Sequence, residues 1–497
     1  MKLKLLSLPL HQTNVSGENS QNPIIPPLST ATLKGYLENN GMNVEQDDLS
    51  IKTEVKNLFI GEDNINLGIF DKKENLMEIL SNKFVPSLEN EARKILQLTD
   101  IKKFDVIGLS IMNSNNFSSI TLPIVLSKLI KESEDPIVII GGNIRAGVDE
   151  KILRSGYVDY RIIGDSRTSL GEVNLLRFLK KYENGNMEDL DGISHIENDK
   201  HIYRHGNRTE EEKSIVTKPV FEGLPIELYK EVIGRRTGKE FLILPYFSMR
   251  GCPHNCAHCS QSRENNFTIK DRKKAVREIK ELSEKYDTKY FMLLDSEIVK
   301  PIEFANEIIK KDVRMMYSTS ADFRNISVDS LENLKKSGVK RLIFGLENGS
   351  DKMRIYLNKK IDEKKAEKIL ERSYDLGIEN ILTLICGFPW ERRKDVRETY
   401  NFLRKNNRYI ESSFLNKFFL DGKFIDNPKE MNIKLKKVSG PLGKESLKFE
   451  EIGGRNWSEI KEFRKYSYKT LDNVIRHYFG KPKPIDMFFA EVGDVDE

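Results

Sequence analysis

The sequence predicts an α/β protein with two strand–helix domains. The first is a doubly wound, Rossmann-like domain, and the second is a partial (β/α)6 barrel of the TIM type followed by a small C-terminal helical cap. Three observations predict this organisation. The 497 residues are enough for two to four domains. Hydrophobic residues make up 38% and charged residues 32%, a balance typical of globular proteins with a substantial core. Short apolar runs alternate with helical periodicity along most of the chain, which is typical of parallel sheets.

Composition and charge exclude several classes of protein. The 81 Lys and Arg residues nearly balance 76 Asp and Glu residues, and a net charge of +5 argues against a polybasic nucleic-acid binder. Four cysteines are too few for a disulfide-stapled secreted scaffold. The basic, apolar start ends too early, at Pro9 and His11, for a signal peptide. No apolar run approaches the roughly 20 residues that span a bilayer. We therefore expect a cytoplasmic protein with no membrane or nucleic-acid partner.

The first 185 residues are predicted to form the doubly wound domain. The apolar run at 104–111 is continuous and bounded by polar residues, as in a strand buried on both faces of a parallel sheet. Extended segments are predicted at 2–8, from 42, and at 104–111, 136–140 and 158–163, with helices from 28 and over 122–130 and charged helical segments over 52–100. Alternation of this kind predicts a doubly wound α/β domain.

Residues 186–239 differ from the segments on either side. They are polar, and turn signals occur at Asp191-Gly192 and at Gly206-Asn207. We predict a linker with a small hairpin.

From residue 240 to residue 420 the alternation resumes as six strand–helix units. The strands are predicted at 241–247, 290–294, 314–319, 340–346, 381–386 and 414–419, and the helices at 269–286, 304–310, 330–336, 364–376 and 394–404. Repeated units of this kind predict a parallel barrel, whose chemistry lies on the loops that follow the strands. Residues 421–497 are aromatic and basic, and we predict that they form the helical cap.

Three of the four cysteines lie together in the loop after the first of these strands. Cys252, Cys256 and Cys259 have the spacing C-x3-C-x2-C. Gly251 and Pro253 favour a turning backbone, so that three thiolates can converge from one short loop. A [4Fe-4S] cluster is usually held by four cysteines. Three cysteines on such a cluster therefore leave one iron open to a substrate or cofactor.

Two other interpretations of the cysteine loop remain open. A structural zinc site takes four ligands, and either His254 or His258 would complete a Cys3His knuckle. The loop would otherwise carry three free thiols. The position of the loop favours an active site, because a structural zinc knuckle has no need of a strand end in a barrel. The fourth cysteine, Cys386, lies within a predicted strand and is interpreted as a buried small side chain.

The spacing and position of these cysteines resemble those of the radical S-adenosylmethionine (SAM) superfamily. The resemblance implies that Cys252, Cys256 and Cys259 hold a [4Fe-4S] cluster whose fourth iron is chelated by the amino and carboxylate groups of SAM. It also implies that an electron from the cluster splits SAM into a 5′-deoxyadenosyl radical. Family-like segments follow the later strands, namely Gly345-Leu346-Glu347-Asn348-Gly349-Ser350 and Gly387-Phe388-Pro389-Trp390-Glu391. In the second segment, Trp390 stands where the family usually has a glycine.

The resemblance also indicates which residues would bind SAM. A carboxylate after the second strand suits the SAM amino group, and an arginine after the third strand suits its carboxylate. The alternatives are an ordinary helix cap and a surface salt bridge. The predicted SAM-binding residues are His258 in the cysteine loop, Asp295, Ser296 and Glu297 after the second strand, Ser318, Ser320 and Arg324 after the third, Glu347 after the fourth, and Gly387 and Pro389 after the fifth.

The first domain resembles the cobalamin-binding domains that are fused to radical SAM barrels. The segments that carry this resemblance are Pro26-Pro27-Leu28-Ser29, Asp105-Val106-Ile107-Gly108-Leu109-Ser110, Ile139-Ile140-Gly141-Gly142 and Asp159-Tyr160-Arg161-Ile162-Ile163-Gly164-Asp165. The resemblance implies cobalamin contacts from Ser110, Gly141, Gly142 and Gly164. His11 is the only histidine before residue 195, so we do not expect a histidine ligand to cobalt. The alternative is a domain that has lost its cobalamin.

Together the resemblances imply an enzyme that methylates an unactivated carbon with methylcobalamin after generating a radical from SAM. Its substrate would be a small molecule or a peptide, and its electron donor a reductant protein such as flavodoxin or ferredoxin. A second hypothesis is radical cyclisation, cross-linking or rearrangement without cobalamin. A third is a zinc-binding interaction module without enzymatic activity.

Overall fold

The computed structural model describes two compact units. The first comprises Met1–Pro245 with Pro484–Ala490, and the second comprises Tyr246–Lys483 with Glu491–Glu497. The described residues are 1–9, 23–59, 64–81, 83, 85–111, 116–142, 144, 147–164, 170–187, 190–263, 267–439, 445–480 and 482–493. No helix among them is long and apolar enough to cross a membrane.

The first unit is built around a seven-stranded sheet. Its strands are β1 (Lys2–Ser7), β2 (Asn43–Asp48), β3 (Val106–Ile111), β4 (Ile137–Gly142), β5 (Tyr160–Ile162), β6 (Ile193–Glu197) and β7 (Lys200–Arg204). They are arranged in the order β2-β1-β3-β4-β5-β6-β7, and the first five are parallel. The strand order reverses between β1 and β3, which is where doubly wound sheets place their ligand crevice. The predicted doubly wound fold is confirmed.

Helices connect these strands, as the alternation predicts. They are α1 (Leu28–Glu38), α2 (Leu49–Phe59), α3 (Lys73–Leu80), α4 (Pro86–Leu96), α5 (Ser118–Glu134), α6 (Val148–Leu153), α7 (Leu170–Glu183), α8 (Glu210–Lys213) and α9 (Ile226–Thr237), with a 3-10 helix at Leu67–Asp71. Leu3 and Leu5 of β1, Val106 of β3 and Ile139 of β4 pack in one core cluster with Phe178 of α7. Burial of apolar side chains from both strands and helices stabilises the layered arrangement.

Residues 186–239, for which the sequence predicts a linker with a hairpin, contribute more than a linker to the first unit. The hairpin exists and extends the sheet, with β6 antiparallel to β5 and β7 antiparallel to β6. Ile193 of β6 is fully buried and pairs with Ile162. The segment is polar overall because an edge hairpin buries only part of its surface. The twelve residues of α9 were not predicted.

The second unit contains six strands in one sheet, in the order β15-β14-β13-β12-β11-β8. The strands are β8 (Ile243–Tyr246), β11 (Tyr290–Leu293), β12 (Met316–Ala321), β13 (Val339–Glu347), β14 (Glu379–Cys386) and β15 (Ser412–Lys417). The pairs from β11 to β15 are parallel. The six strands occur where the sequence predicts them. Because parallel strands end at the same edge of a sheet, the loops after them are gathered together.

Helices alternate with these strands, and short elements lie in the loops. The helices are α10 (Arg272–Tyr286), α11 (Pro301–Lys310), α12 (Ser330–Lys336), α13 (Asp351–Tyr356), α14 (Glu363–Asp375), α15 (Arg393–Lys405) and α16 (Lys423–Asp426), and 3-10 helices occur at Ser260–Arg263 and Asn407–Tyr409. The strands β9 (Met249–Arg250) and β10 (Thr268–Ile269) pair antiparallel on either side of the cysteine loop.

The C-terminal segment is not purely helical, which corrects the predicted helical cap. It contains an antiparallel hairpin, β16 (Ile433–Ser439) and β17 (Glu445–Glu451), before α17 (Trp457–Tyr478) and α18 (Ile485–Val492). In β16, Ile433 is buried and Lys434 is exposed. This period of two is typical of a half-buried strand, and the many lysines obscured it in the sequence.

Candidate active site

The cysteine loop lies at the carboxyl edge of the six-stranded sheet, after β8 and β9. Cys256 is buried, Cys252 and Cys259 are half-buried, and none of them forms a disulfide. Burial raises the pKa of the Cys252 thiol to about 12, with further contributions from Glu297 and from the other two thiols. The Cys252 thiol therefore disfavours the thiolate form unless a positively charged group lies beside it.

Two other segments fasten the cysteine loop. The N–H of Ala257 donates to the carbonyl oxygen of Leu357 (2.9 Å), and the side-chain amide of Asn358 donates to the carbonyl oxygen of Asn255 (2.8 Å). The N–H of Lys423 donates to the carbonyl oxygen of Ala257 (2.9 Å). Residues following β13 and β15 thus hold the loop, and the sequence did not predict these contacts.

Asp295 anchors the start of the cysteine loop. Its carboxylate accepts hydrogen bonds from the N–H groups of Ser248 (2.8 Å) and Met249 (3.0 Å) and from the Ser248 hydroxyl. Asp295 is fully buried, and this burial raises the pKa of its carboxyl to about 6. The sequence predicts a SAM contact here, whereas both carboxylate oxygens face the chain that enters the loop. Asp295 thus fixes the start of the loop, and its contact with SAM stays a prediction.

Glu297 faces the cysteine loop directly. One carboxylate oxygen lies 2.8 Å from Nε2 of His254 and 3.8 Å from Sγ of Cys252. The other oxygen accepts a hydrogen bond from the Asn325 amide (2.6 Å). The neighbouring Ser296 hydroxyl donates to the Gln261 side chain instead. His254 is therefore held by a carboxylate in the structure, a contact that the sequence did not reveal.

The strand β12 and the loop after it contribute a buried hydroxyl and a paired arginine. The Ser318 hydroxyl is buried and has no hydrogen-bond partner among the described residues, whereas the carbonyl oxygen of Ser320 accepts from the Ile298 N–H. Arg324 donates twice to Asp322 (2.7 and 2.6 Å), and its Nη2 lies 3.5 Å from Sγ of Cys256. An unpartnered buried hydroxyl carries a desolvation cost that a bound ligand would remove.

Asp322 and Lys359 are site residues to which the sequence analysis gave no role. Burial raises the Asp322 pKa, but Arg324 and Lys359 outweigh it and lower that pKa to about 2. Lys359 donates to Glu347 (2.8 Å) and lies 3.9 Å from Asp322. Burial lowers the Lys359 pKa, but the carboxylates of Glu347 and Asp322 outweigh it and raise that pKa. A lysine twelve residues after the end of β13 and a carboxylate two residues before an arginine were the available signals.

The loop after β14 contains Gly387, Pro389 and a buried carboxylate. The N–H of Gly387 donates to Glu391 (2.6 Å), and Asn348 donates to the other oxygen of Glu391 (2.8 Å). Burial raises the Glu391 pKa to about 7. Pro389 is also buried. The two family-like segments that follow β13 and β14 are therefore hydrogen-bonded to each other.

His258 connects the cysteine loop with the loop after β14. Its ring contacts Phe388 edge-on, with 5.9 Å between ring centres. Burial lowers the pKa of His258, and its Nδ1 is buried without a hydrogen-bond partner among the described residues. A neutral imidazole with one unsatisfied nitrogen therefore lies beside the three cysteines.

The predicted cobalamin-binding residues lie at the carboxyl ends of strands in the first unit. Ser110 is in β3, and its hydroxyl is 3.4 Å from that of Ser29. A Cβ on Gly142 would overlap the carbonyl oxygen of Ile111, and a Cβ on Gly164 would overlap the backbone of α7. These two glycines are required by packing within the unit, whereas a Cβ on Gly141 would have space. Asn143 and residues 165–167 lie outside the described residues.

The donor set of the cysteine loop fits an iron–sulfur cluster. Cysteine thiolates are the usual ligands of such clusters, and the loop presents three of them. Cys386 is fully buried within β14, as expected for a small core side chain. The buried Ser318 hydroxyl and the His258 Nδ1 have no hydrogen-bond partner among the described residues.

Comparison with known proteins agrees with this geometry. Residues 246–403 match the radical SAM superfamily. The chain is 30% identical over 171 residues to the anaerobic magnesium-protoporphyrin IX monomethyl ester cyclase of Rubrivivax gelatinosus, covering 33% of this chain and 31% of that protein. It is 22% identical over 315 residues to an uncharacterized methyltransferase of Pyrococcus horikoshii, covering 61% of this chain and 65% of that protein. The chain thus spans less than two thirds of the length of either relative.

A solved structure shares the fold over nearly the whole chain. The radical SAM methyltransferase TsrM from Kitasatospora setae, with cobalamin and a [4Fe-4S] cluster bound, superposes with a TM-score of 0.63 at 13% identity, covering 97% of this chain and 91% of that one. At this identity the similarity concerns the fold. Residues 246–403 thus match the radical SAM superfamily, and the fold of the chain is similar to that of TsrM.

Proposed function

We propose that this radical SAM enzyme cleaves SAM reductively to a 5′-deoxyadenosyl radical and uses it for cobalamin-dependent methylation of an unactivated carbon. One observation carries the proposal. A three-cysteine loop lies among the carboxyl ends of the parallel strands that follow it, within a fold that matches TsrM over 97% of the chain. The substrate would be a small molecule or a peptide, and the electron would come from a protein such as flavodoxin or ferredoxin.

Cys252, Cys256 and Cys259 would hold the [4Fe-4S] cluster, which supplies the electron for SAM cleavage when bound. The high pKa of the Cys252 thiol would fall once iron lies among the sulfurs. The Arg324 guanidinium, 3.5 Å from Sγ of Cys256, would offset part of the thiolate charge. Asp295 would hold the entry to the loop in place.

SAM would bind at the strand ends beside the cysteine loop. The unpartnered Ser318 hydroxyl and the Nδ1 of His258 are polar atoms that a ligand would satisfy. Glu297 presents a carboxylate next to Cys252, where an ammonium group would be stabilised. Arg324 would use a guanidinium that Asp322 already orients. Glu347 would act together with Lys359, the cation that neutralises it.

An apolar cluster would keep water away from the cysteine loop. Ala257 of that loop packs with Phe388, Phe418 and Phe424, all of which are buried. Low local polarity strengthens each charged contact at the site and protects a reactive radical from solvent.

Cobalamin would bind at the carboxyl edge of the first unit's parallel strands. The strand order reverses there between β1 and β3, and Ser110 and Gly141 lie at this edge. Small side chains leave space for a large planar ligand. TsrM carries cobalamin, and the relative from Pyrococcus horikoshii is called a methyltransferase, which supports methyl transfer as the outcome.

Anaerobic reconstitution tests this proposal. The chain is loaded with iron, sulfide and hydroxocobalamin and is then incubated with SAM, a strong reductant and a library of acceptor compounds. We expect about four irons per chain, retained corrinoid, and formation of both 5′-deoxyadenosine and S-adenosylhomocysteine. One zinc without sulfide, or no 5′-deoxyadenosine, would contradict the proposal.

A radical cyclisation, cross-linking or rearrangement is the second candidate function. It is favoured by the relatives called anaerobic magnesium-protoporphyrin IX monomethyl ester cyclase, which come from three organisms. The same experiment separates the two candidates. Formation of 5′-deoxyadenosine without S-adenosylhomocysteine, and without retained corrinoid, would indicate this second function.

A further inference from the structure

The loop after β14 keeps a tryptophan in a backbone conformation that favours glycine. Trp390 has a φ of 63°. Its N–H donates to Glu451 (2.7 Å), and its indole N–H donates to the carbonyl oxygen of Asn432 (3.0 Å). The guanidinium of Arg392 lies 5.1 Å from the indole ring centre. Three groups outside the loop's own turn therefore hold Trp390 in place.

Glu451, the last residue of β17, is the centre of this arrangement. Its buried carboxylate accepts two hydrogen bonds from Arg392 (3.0 and 2.7 Å) and two from the Arg455 guanidinium (3.1 and 2.6 Å). Burial alone would raise the Glu451 pKa, but these hydrogen bonds outweigh it and lower that pKa to about 2. Arg455 also donates to the carbonyl oxygen of Glu391 (2.8 Å). Glu451 and the Arg455 that it binds thus hold two neighbouring residues of the loop, Trp390 and Glu391.

The same hairpin packs in one apolar cluster with the cysteine loop. Ile433 of β16 and Phe449 of β17 belong to the cluster that contains Phe388 and Ala257. Phe418 links them, with ring centres 5.8 Å from Phe449 and 4.9 Å from Phe388. Closely packed side chains transmit displacements because they leave few voids. The shape of the loop after β14 therefore depends on the hairpin on one side and borders the cysteine loop on the other.

We infer that the β16–β17 hairpin is a positioning element for SAM, and that Glu451 acts through Trp390 to hold the loop from Gly387 to Glu391 in its binding shape. The inference rests on the proposed function in one respect, namely that SAM binds beside this loop. Glu451 would not touch SAM. Contacts from the hairpin instead stabilise the positive φ of Trp390, a backbone conformation that a glycine at this position would adopt without strain.

The test measures SAM binding to the anaerobically reconstituted full-length protein by equilibrium dialysis with labelled SAM, and iron content beside it. We expect Glu451→Gln to weaken SAM binding about tenfold, because the lost charge releases the loop from Arg392 and Arg455. Iron content should not change, and KM for SAM in 5′-deoxyadenosine formation should rise while kcat is retained. The matched control is Glu450→Gln on the same strand, where Glu450 pairs with exposed Lys436 (2.6 Å).

A glycine at position 390 provides the decisive comparison. Trp390→Gly should bind SAM within about threefold of the wild type, since glycine adopts positive φ freely. Adding Glu451→Gln to that variant should then cost about threefold at most, because coupled residues give non-additive effects. Equal losses in both backgrounds, or wild-type SAM affinity in Glu451→Gln, would overturn the inference.

A milder variant covers the case in which Glu451→Gln does not retain iron. Arg392→Gln leaves Glu451 bound by Arg455 and should weaken SAM binding about threefold to tenfold. Unchanged affinity in Arg392→Gln would then overturn the inference. A wild-type protein that holds iron but binds no SAM would instead overturn the proposed function on which the inference rests.

Discussion

The carboxyl ends of the central strands differ between the two sheets. In the second unit they carry charged side chains, among them the buried Glu297 and Lys359 and the half-buried Arg324. In the first unit the ends of β3 and β4 carry Ser110 and glycines, and the buried carboxylates Asp47 and Asp48 lie apart from them, at the end of the edge strand β2. A charged cofactor with several small polar groups needs fixed countercharges, whereas a large planar cofactor needs space and close backbone approach. The comparison indicates that the two edges are suited to ligands of different chemistry.

The largest effect is expected when one of the three cysteine thiols is removed from the second unit. Cys256→Ala should abolish iron–sulfur loading and reduce 5′-deoxyadenosine formation to background, because two thiolates cannot hold the cluster. Cys386→Ala is the control, since Cys386 is buried in β14. Iron content and product formation are the measurements. Full iron loading in Cys256→Ala would contradict the assignment of the ligands.

Removing the buried cation should be the next largest effect. Lys359→Met leaves Glu347 and Asp322 without their shared countercharge and should lower the free energy of unfolding by about 3–5 kcal/mol. Lys360→Met, at the exposed neighbouring position, should change it little. Urea unfolding measures both variants, and an equal effect at the two positions would show that the network contributes no stability.

The buried carboxyl after β14 predicts a pH dependence. Burial raises the Glu391 pKa to about 7, so the folded state binds this proton more tightly than the unfolded state does. The stabilisation that comes from binding this proton is complete below the pKa that Glu391 has in the unfolded state. It is lost as the pH rises through about 7. We expect the wild type to lose up to about 3 kcal/mol of unfolding free energy relative to Glu391→Gln between pH 4.5 and pH 8.

Urea unfolding of the wild type and of Glu391→Gln across that range is the measurement. Glu450→Gln, which removes a half-buried carboxylate paired with Lys436 on the same unit, serves as the control. Parallel pH profiles for the wild type and Glu391→Gln would refute a raised pKa at this position.

The smallest effects should appear at the glycine edge of the first unit. Gly142→Ala should cost about 2 kcal/mol of stability, because its φ is 110° and a Cβ would overlap the Ile111 carbonyl oxygen. Gly141→Ala has space for the methyl group and should change stability by less than about 0.5 kcal/mol. If cobalamin binds at this edge, Gly141→Ala should retain severalfold less hydroxocobalamin at unchanged iron content. Retention equal to that of the wild type would place the corrinoid elsewhere.

The sequence pattern predicted much of the fold and less of the site. Continuous apolar runs predicted the central strands, such as the one at 104–111, because strands buried on both faces cannot hide polar residues. The hairpin β16–β17 was missed because only one of its faces is apolar and lysines dominate the other. The three cysteines could be recognised in the sequence by their spacing. Asp322 and Glu451 could not be recognised, because their roles depend on the arginines that they contact in the folded chain.

By itself, the sequence determined the class of chemistry and the order of the elements: three cysteines at one strand end, strand–helix alternation, and family-like segments after the later strands. Only the tertiary structure decided how those segments work together. It turned Asp295 toward the chain entering the cysteine loop, paired Lys359 with two carboxylates, and placed Glu451 against Trp390. The physical reason is that residue type and spacing are local properties. Burial and charge pairing instead depend on residues far apart in the chain, as Trp390 and Glu451 are.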